Sequence, residues 1–562
     1  MQAVEAELLL HDIYFGASIL PPGRRPSDVP PFRVDNYPVA PQVAAGITSA
    51  ISGELAAGRI QRVSYVPAHL TPIYGKEEPE KIRIITDFSA PRGLALNDQT
   101  DAMHFSMMSH QDAFALLRPG SYMAKLDISK AYRTVGVRPS QWHLLAFCWK
   151  DPSTGHTEYY IDTRWPFGHA KAPEVFCRIS AAVRAMMAAA GFDATVVYVD
   201  DFLVVAGSQD ACEAARAFLS QLLAELGFTE NIPKRCAPAQ TQIFLGLQYC
   251  TVATGPHPVT VTVPEDKLRK AEALAARLAL QGVASRNELQ SAAGYFNHIG
   301  QAVWSARAFT RRLIDAIRDA TASGAMRIPI RRPVQLDLFW WRDFARTFNG
   351  HAVVLERPVM LEGFFSTDAS DVGMGGFLSG QHFSVAWLDL AAACHDLPPI
   401  GENFMLSHQQ LWPRPGHPCL WDIAYRELFA IVWAHFLWGA AYMANRSVTT
   451  HCDNVVAEHD VNNLSSPNIF RMALVRALCG FNARHNIRTN VVHITSAANV
   501  LADALSRLDL VTFRNAELLW RATVAQTHPA WPGEVSGYRP REFSNPGLMT
   551  HRARVAVEAH AP

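Results

Sequence analysis

Two adjacent aspartates stand between two apolar, β-branched runs in residues 195–206, TVVYVDDFLVVA. This pattern predicts a tight hairpin in the core of a sheet, with Asp200 and Asp201 at its turn. Two acids placed in this way repel each other, and desolvation makes each charge costlier, so a divalent cation is the natural compensation. A turn with two solvated acids is the simpler alternative, because Asp favours turns.

A third aspartate upstream favours the metal interpretation. Asp127 ends a strand-like run in residues 121–132, SYMAKLDISKAY, and lies 73 and 74 residues before the pair. A lone Asp at a strand end is usually structural, but three carboxylates can build a site for two metal ions about 4 Å apart. Mg²⁺ prefers hard oxygen ligands and keeps open positions for phosphates. The predicted chemistry is nucleotidyl transfer.

The second half of the chain carries another series of acids, each at a predicted strand end or in a predicted helix. They are Asp368, Glu427, Asp453 and Asp503. Each acid alone is weak evidence, but their order of strand, helix, strand and helix is a pattern. The glycine-rich run at residues 373–376, GMGG, predicts a turn from the first of these strands to its partner.

Composition excludes several classes of protein. Hydrophobic residues make up 49% and charged residues 18% of the 562 residues, which excludes a disordered chain, a coiled coil and a collagen-like fibre. The nine cysteines are scattered with no CxxC pair, so a disulfide scaffold or a zinc ribbon is not expected. Lys+Arg and Asp+Glu are both 51, so binding of nucleic acid must depend on local basic patches.

Helix signals define a mostly helical region at residues 264–346, between the two sets of acids. Pro264, followed by two acids, marks a helix start, and Gly282 marks its end. Ser285 and Glu288 form a capping box for the next helix.

One apolar stretch, residues 428–444, is at the short limit for a membrane span. It contains His435 and follows Arg426 and Glu427, so we predict a buried helix of a soluble protein with no membrane partner. The first residues carry acids where a signal peptide needs a basic flank. We expect an intracellular protein of the cytoplasm, the nucleus or both.

Five segments resemble the motifs of reverse transcriptases and occur in the order of that family. They are KLDISKAY for motif A, RWPFGHAKAPEVF (residues 164–176) for motif B, YVDD for motif C, LGFTENIPK (226–234) for motif D and FLG (244–246) for motif E. The resemblance implies an α+β right-hand polymerase with palm, fingers and a helical thumb.

The resemblance also implies a role for individual residues. Asp127, Asp200 and Asp201 would bind the catalytic metals, and Lys234 would be the general acid for pyrophosphate. The substrate-binding residues would be Lys76, Arg83, Tyr132, Phe167, Gly168 and Pro173. The two cations among these match finger residues that hold the triphosphate, a fit for cations that bind phosphate. Tyr132 is placed as the aromatic gate against the 2′-OH or is a packed core tyrosine, and both can hold.

The second series of acids resembles that of ribonuclease H, in an α/β fold. In that family four carboxylates hold two Mg²⁺ ions that cut the RNA of a hybrid. The gap of 59 residues from Asp368 to Glu427 is long, and an insert at about 389–420 accounts for it. The insert contains His395, His408 and His417, whose spacing is too wide for a usual zinc site.

We predict five segments along the chain. They are 1–60, an N-terminal lead and packing helix; 61–250, fingers and palm; 251–348, helical thumb or connection; 360–508, the ribonuclease H-like domain; and 509–562, a C-terminal tail. Basic residues within 267–318 would make the thumb a track for phosphates of the hybrid.

A polymerase followed by ribonuclease H resembles retroelements, in particular the DIRS-like group with tyrosine-recombinase partners. The segments that indicate this group include RNELQSAAGYFNHI (286–299) and HITSAANVLADALSR (493–507). The resemblance implies an RNA template, a DNA primer, an RNA–DNA hybrid and dNTPs as partners. It also implies two Mg²⁺ ions in each site, with Mn²⁺ as the alternative, and leaves room for an element-encoded recombinase on another chain.

Two other interpretations stay open. The first is a decayed or domesticated copy that binds nucleic acid without catalysis, although the presence of all seven acids argues against it. The second is a nuclease with an inactive polymerase half. The chain also departs from the ribonuclease H pattern at Thr495 and Ser496, where the family usually carries Pro-Gly.

Overall fold

The computed structural model describes residues 3–78, 81–101, 105–252, 259–347, 351–352, 365–394 and 422–527. The chain forms two compact units, Met1–Leu245 with Thr251–Ala253, and Gly246–Cys250 with Thr254–Pro562. The histidines of the predicted insert, His395, His408 and His417, lie outside the described residues.

The first unit is an α+β structure in which short sheets are covered by helices. Its helices are Ala3–Phe15, Pro41–Ala56, His110–Leu116, Ala172–Ala189 and Gln209–Glu225, with 3-10 turns at Pro26–Asp28, Leu96–Gln99, Ala131–Thr134, Pro139–Leu145 and Ile232–Lys234. Its strands are Phe32–Arg33, Ile60–Val63, His69–Leu70, Ile73–Glu78, Lys81–Thr86, Tyr122–Asp127, Ala146–Lys150, Thr157–Asp162, Thr195–Tyr198, Asp201–Ala206, Cys236–Ala239 and Thr241–Phe244.

A four-stranded antiparallel sheet carries the aspartates of this unit. Its strands follow the order Cys236–Ala239, Tyr122–Asp127, Asp201–Ala206 and Thr195–Tyr198. Apolar side chains of the two central strands, such as Leu126, Phe202 and Val204, are buried. The helices Ala172–Ala189 and Gln209–Glu225 pack against the sheet. This burial fixes the strands, and the strands in turn fix the acids at their ends.

A separate hydrophobic cluster supports the hairpin that carries the two predicted triphosphate-binding cations. In this hairpin Lys76 lies opposite Arg83. The helix Pro41–Ala56 packs on the hairpin, with Val43 and Ile47 buried in the cluster. The close contact between this helix and the hairpin requires glycine at position 75, because a Cβ atom there would lie 2.6 Å from Val43 Cγ1.

The second unit begins with the predicted helical region. Its helices are Glu265–Gln281, Arg286–Ile299, Arg311–Ser323 and Arg332–Thr347, with 3-10 turns at Gly300–Ala302 and Trp304–Phe309. Short strands are Leu247–Cys250, Thr260–Thr262, Val283–Ser285, Arg327–Pro329 and His351–Ala352. The helix signals are confirmed, since Pro264 and Gly282 flank the first helix and Ser285 and Glu288 cap the second reciprocally.

The rest of the second unit is an α/β domain with a mixed five-stranded sheet. Its strands follow the order Gln381–Ala386, Gly373–Leu378, Phe365–Ala369, Ser447–Cys452 and Arg488–His493. The first three strands are antiparallel and the last two are added in parallel. Its helices are Trp387–Cys394, Ile423–Trp438 with a π-helical turn at Gly439–Met443, Val455–Asn462, Ile469–His485, Val500–Ser506 and Leu510–Thr527.

The run GMGG, predicted to form a turn, lies inside the strand Gly373–Leu378 instead. The chain turns just before it, at residues 370–372. A Cβ atom on Gly375 would lie 2.5 Å from the Cβ atom of Leu505. The turn prediction is wrong because these glycines serve packing. Gly375 lets the helix Val500–Ser506 approach the sheet closely, and Gly376 makes room for the Phe383 ring of the neighbouring strand.

The apolar stretch is the predicted buried helix, Ile423–Trp438, and Leu428, Ala430 and Ile431 are fully buried. Among the residues that the structure describes, we find no helix with the length and apolar character needed to cross a membrane.

The helix Leu510–Thr527 belongs to the packed α/β domain. Its Phe513 is buried against Phe377 of the sheet, and Trp520 packs edge-on against the same ring. We therefore propose that this helix extends the domain beyond the predicted bound at residue 508.

A buried ion pair joins the helical region to the α/β domain within the second unit. Asp337 on the helix Arg332–Thr347 is fully buried, and Arg476 on the helix Ile469–His485 donates a hydrogen bond to it. The backbone N–H of Arg312 points to the same carboxylate at 3.3 Å. Burial acts to raise the pKa of Asp337, and the charge of Arg476 opposes that shift.

Aromatic contacts surround this ion pair. The rings of Phe309 and Trp340 stack with centroids 3.9 Å apart, and the Arg476 guanidinium lies 5.0 Å from the Phe309 centroid. Arg488 of the sheet lies 3.9 Å above the ring of Trp304 in the helical region. Both contacts are cation–π interactions, which gain strength when water is excluded.

We expect Arg476→Met to destabilise the second unit by about 3–5 kcal/mol, because it leaves the buried Asp337 charge without its main partner. Urea unfolding followed by tryptophan fluorescence measures the change. The control is Arg521→Met, which removes an exposed i,i+4 pair with Glu517 and should change stability by less than about 1 kcal/mol. Equal stability of both variants would contradict this account.

Candidate active sites

The first site is built on the hairpin between Thr195–Tyr198 and Asp201–Ala206. Asp201 lies directly opposite Asp127 in the antiparallel register of the sheet. Val199, at the turn, has a φ of +56°, a value that is rare for a β-branched residue. Strain of this kind is held only where surrounding contacts fix the backbone. The structure contains both the predicted hairpin at Asp200 and Asp201 and the predicted strand end at Asp127. The three acids therefore meet at one edge of the sheet.

Residues 229–234 hold Asp127 in place. Asp127 is 3% exposed, and its backbone carbonyl accepts a hydrogen bond from the Asn231 N–H at 2.8 Å. Asn231 Nδ2 donates to Asp127 Oδ2 at 2.8 Å, and Lys234 Nζ lies 3.1 Å from Oδ1. Burial acts to lower the pKa of Lys234, but its bond to Asp127 and the charges of all three aspartates raise it.

Asn231 is a site residue that the sequence did not single out. It lies in the motif D segment three positions before Lys234, and that proximity was the available signal.

Burial and neighbouring acids raise the proton affinity of two of the three carboxylates, Asp200 and Asp201. Burial and the nearby charge of Asp127 raise the pKa of Asp200. Burial, the charges of Asp127 and Asp200 and a hydrogen bond with Asp127 raise the pKa of Asp201 to about 7. Together the three groups carry more negative charge than their surroundings compensate, and divalent cations suit such a site.

Aromatic rings line one side of the first site. The Tyr132 ring centroid is 5.5 Å from that of Phe167 and 6.0 Å from that of Phe176. The Arg83 guanidinium lies 4.6 Å from the Phe167 centroid and pairs with Glu78 at 2.9 Å. Burial and the charge of Asp200 raise the pKa of Tyr132 to about 12. The gate and core interpretations of Tyr132 are therefore compatible.

Gly168 stands where no side chain fits. Its φ is +110°, and a Cβ atom there would lie 1.9 Å from the carbonyl oxygen of Thr86. Phe167, one residue earlier, accepts a hydrogen bond from the Thr86 N–H. Pro173 occupies the first turn of the helix Ala172–Ala189, as expected for proline. Lys76 is exposed on the hairpin of Arg83.

The second site brings together three of its four predicted acids. Ligand oxygens of Asp368, Glu427 and Asp453 lie within 4.8 Å of one another. Asp368 lies near the end of the strand Phe365–Ala369, and Asp453 directly follows the strand Ser447–Cys452. Because these strands are neighbours and parallel, their carboxyl ends meet at one edge.

Glu427 faces the two aspartates from its buried helix. Its Oε1 accepts a hydrogen bond from the Ala369 N–H at 3.0 Å, and its Oε2 is buried with no hydrogen-bond partner among the described residues. Burial first, and then the charges of Asp368 and Asp453, raise its pKa well above the usual range. A buried carboxylate oxygen without a donor, aimed at two further carboxylates, fits a metal ion as the missing partner.

Three polar side chains hold the aspartates, of which the sequence analysis named only Ser496, as a departure from the family pattern. Asn499 Nδ2 donates to Asp368 Oδ1 at 3.2 Å, and Ser506 Oγ donates to Oδ2 at 2.6 Å. Ser496 Oγ donates to Asp453 Oδ2 at 2.5 Å. Burial raises the pKa of Asp368 to about 6, while the bond from Ser506 opposes that shift.

Asp503, the fourth predicted acid, lies outside the group of three. Its Oδ1 accepts a hydrogen bond from Arg507 Nε at 2.8 Å, and its side chain is 32% exposed. It nevertheless contributes to the raised pKa of Asp368. Its helix begins as predicted at Val500–Ser506.

Residues 75–249 match the model of the family described as reverse transcriptase (RNA-dependent DNA polymerase). This part of the chain is similar to the reverse transcriptases of retroelements and retroviruses, as its motifs predicted. The match agrees with the polymerase fold predicted for this part of the chain.

Curated relatives include the Gag-Pol polyprotein of avian reticuloendotheliosis virus, 26% identical over 248 residues that cover 41% of this chain and 21% of the relative. The transposon Tf2-3 polyprotein of Schizosaccharomyces pombe (strain 972 / ATCC 24843) is 24% identical over 492 residues that cover 84% of this chain and 31% of the relative. The chain thus spans less than a third of the length of these relatives.

Solved structures that resemble the chain include a foamy viral protease-reverse transcriptase in complex with an RNA/DNA hybrid. It has a TM-score of 0.47 and 14% sequence identity, and the match covers 88% of this chain and 61% of that one. The same viral protein in complex with dsDNA has a TM-score of 0.45 and 15% identity, with 88% and 94% covered.

We expect Asp201→Asn to stabilise the metal-free protein at pH 8. An unfolded aspartate has a pKa of about 3.9, whereas burial and its acidic neighbours raise that of Asp201 to about 7. The folded state therefore binds more protons between these values, and the wild-type free energy of unfolding falls as pH rises through them. The free energy of unfolding of Asp201→Asn should exceed that of wild type by on the order of 1–4 kcal/mol above pH 7, and this gain should vanish towards pH 4.

Chemical unfolding in the presence of a chelator, repeated from pH 4 to pH 8, measures this gain. Asp210→Asn, at an exposed acid in the first turn of the helix Gln209–Glu225, is the matched control and should give no such pH-dependent gain. A constant difference between Asp201→Asn and wild type at every pH would show that the acids do not destabilise each other.

Proposed function

We propose that the chain is the RNA-directed DNA polymerase of a retroelement and that its α/β domain is a ribonuclease H. The observation that carries the proposal is the convergence of Asp127, Asp200 and Asp201 at one strained hairpin, inside the stretch that matches the reverse-transcriptase model. In this proposal the enzyme copies RNA, and then DNA, into DNA and degrades the RNA strand of the RNA–DNA hybrid.

In the polymerase site, Asp127, Asp200 and Asp201 would hold two Mg²⁺ ions, with Mn²⁺ as the alternative. Bound metal stabilises the attacking and leaving oxygens of the phosphoryl transfer. Lys234 pairs with Asp127 at 3.1 Å. From this position at the site it would give its proton to the pyrophosphate that leaves, the role proposed for it.

The incoming dNTP is held by residues on the hairpin and the aromatic side of the site. Lys76 and Arg83 bind its phosphates, and Tyr132 packs against its sugar. Phe167, Gly168 and Pro173 form the turn on the template side. This assignment is supported by the packing of Tyr132 on Phe167, with ring centroids 5.5 Å apart, and by the Arg83 guanidinium, which lies 4.6 Å from the same Phe167 centroid.

In the ribonuclease H site, Asp368, Glu427 and Asp453 would hold metal. Glu427 Oε2 is the strongest support, because it is buried without a hydrogen-bond partner. Asp503 is proposed as the fourth ligand, which requires that its carboxylate leave Arg507. Ser506 and Asn499 keep both oxygens of Asp368 fixed while the metal is bound.

The helical region is proposed to track the phosphates of the hybrid, with fewer cations than its composition suggests. Several of its arginines form ion pairs with acids, namely Arg269, Arg277, Arg311, Arg312 and Arg318. Such pairing weakens the attraction for phosphate, so we assign the track to Arg286, Arg307 and Arg331.

The retroelement is proposed to belong to the DIRS-like group, with an element-encoded recombinase on another chain and activity in the cytoplasm, the nucleus or both. Segments 286–299 and 493–507 support the group. A decayed copy that binds nucleic acid without catalysis is the alternative function. Intact acids at both sites favour the active enzyme.

We expect the wild-type protein to extend a DNA primer on an RNA template with dNTPs and Mg²⁺. Asp200→Asn should lower the extension rate by at least about a thousandfold, because the metal pair loses a charged ligand. Asp210→Asn is the control and should keep the wild-type rate. A wild-type protein that binds the hybrid without extending the primer would indicate the decayed copy.

We expect Asp453→Asn to abolish cleavage of the RNA strand in an RNA–DNA hybrid while primer extension stays within a few-fold of wild type. Gel analysis of labelled hybrids measures both reactions on one preparation. Asp389→Asn, at an exposed acid of the same α/β domain, should leave both unchanged. Residual cleavage by Asp453→Asn equal to that of wild type would remove the nuclease assignment.

A further inference from the structure

A buried arginine lies directly beside the proposed sugar gate, in the 3-10 turn Ala131–Thr134. The Arg133 side chain is 7% exposed. Its Nη1 donates to Asp162 Oδ2 at 2.5 Å, and its Nε and Nη2 donate to Glu54 Oε2 at 2.9 and 2.8 Å. One guanidinium thus fixes two carboxylates that stand 108 residues apart in the chain.

These two carboxylates come from different parts of the first unit. Glu54 lies on the helix Pro41–Ala56, which supports the hairpin of Lys76 and Arg83. Asp162 ends the strand Thr157–Asp162, five residues before Phe167. Arg133 therefore connects the gate turn to the element beneath the triphosphate-binding hairpin and to the segment whose ring packs on the gate.

Backbone hydrogen bonds flank the gate turn, and before it the Ser129 N–H donates to the Thr229 carbonyl at 2.8 Å. Val137 N–H donates to the Thr163 carbonyl at 3.0 Å, and Trp165 N–H donates to the Val135 carbonyl at 3.3 Å. Both bonds follow the turn and none of them reaches the helix Pro41–Ala56. The contact with that helix is made by side chains, since Glu54 also accepts from Lys130 at 3.0 Å and from Arg59.

The Glu54 cluster is charged and rigid. Burial acts to raise the pKa of Glu54, but hydrogen bonds and charge from Arg59, Arg133 and Lys130 lower it to about 2. Glu54 is thus ionised at neutral pH. A planar guanidinium with bonds to two carboxylates allows little rotation, and lysine cannot reproduce this fork.

We propose that Arg133 is a positioning residue that sets the discrimination between deoxyribonucleotides and ribonucleotides. It does so by fixing the turn that carries Tyr132 against Phe167. A gate excludes a 2′-OH only if its ring stays within a fraction of an ångström of the sugar, because displacements near 1 Å already change rates by about a hundredfold. This proposal rests on the proposed polymerase function and concerns its substrate selection.

Single-nucleotide extension on one primer–template gives kcat/KM for dCTP and for CTP, and the ratio of the two is the test. Arg133→Lys keeps the charge and loses the fork. We expect it to lower the ratio at least about tenfold while dCTP incorporation stays within a few-fold. Glu54→Gln leaves the bond between Arg133 and Asp162 intact and should also lower the ratio. It provides a second test of the proposal if Arg133→Lys does not fold.

Arg216→Lys is the matched control. Arg216 is also partly buried and paired with one acid, Glu213, but lies on the helix Gln209–Glu225. A purely structural role for Arg133 would lower stability and both kcat/KM values together and leave the ratio unchanged. An unchanged ratio in Arg133→Lys and Glu54→Gln, with extension preserved, overturns this proposal alone. Absence of extension by the wild type overturns the polymerase function and the proposal with it.

Discussion

Repulsion between buried carboxylates is the interaction on which both sites depend. In each site, acids come to the same edge of a sheet because neighbouring strands end there, and burial makes their charges costly. The raised pKa values of Asp201, Asp368 and Glu427 record that cost. The sheets, the covering helices and the glycine-lined contacts supply the stability that keeps these acids together.

The two sites differ in the groups that compensate this repulsion. In the first, Lys234 and Asn231 bind Asp127 directly, so a cation of the chain itself compensates part of the charge. In the second, neutral hydroxyl and amide groups hold Asp368 and Asp453, and no lysine or arginine contacts Glu427 Oε2. The charges of Arg507 and Arg426 act on Asp368 and Glu427 in the second site, where they oppose the rise of the pKa.

Local sequence patterns predicted the elements and the acids well, because both depend on neighbours in the chain. The hairpin at Asp200, the helix caps at Pro264 and Ser285 and the buried helix of Glu427 are examples. The glycine run was misread because its purpose is contact with Leu505, about 130 residues away. Ser506, Asn499 and Arg133 were missed for the same reason. Their roles come from partners that only the folded chain brings close.

The ion pair between Asp337 and Arg476 has a consequence for how such chains diversify. The two residues are 139 positions apart and belong to segments that could otherwise be exchanged as separate modules. An α/β domain exchanged for one without an arginine at this position would leave an unpaired charge in the interior. Exchange of either segment alone therefore requires a compensating substitution at residue 337 or 476.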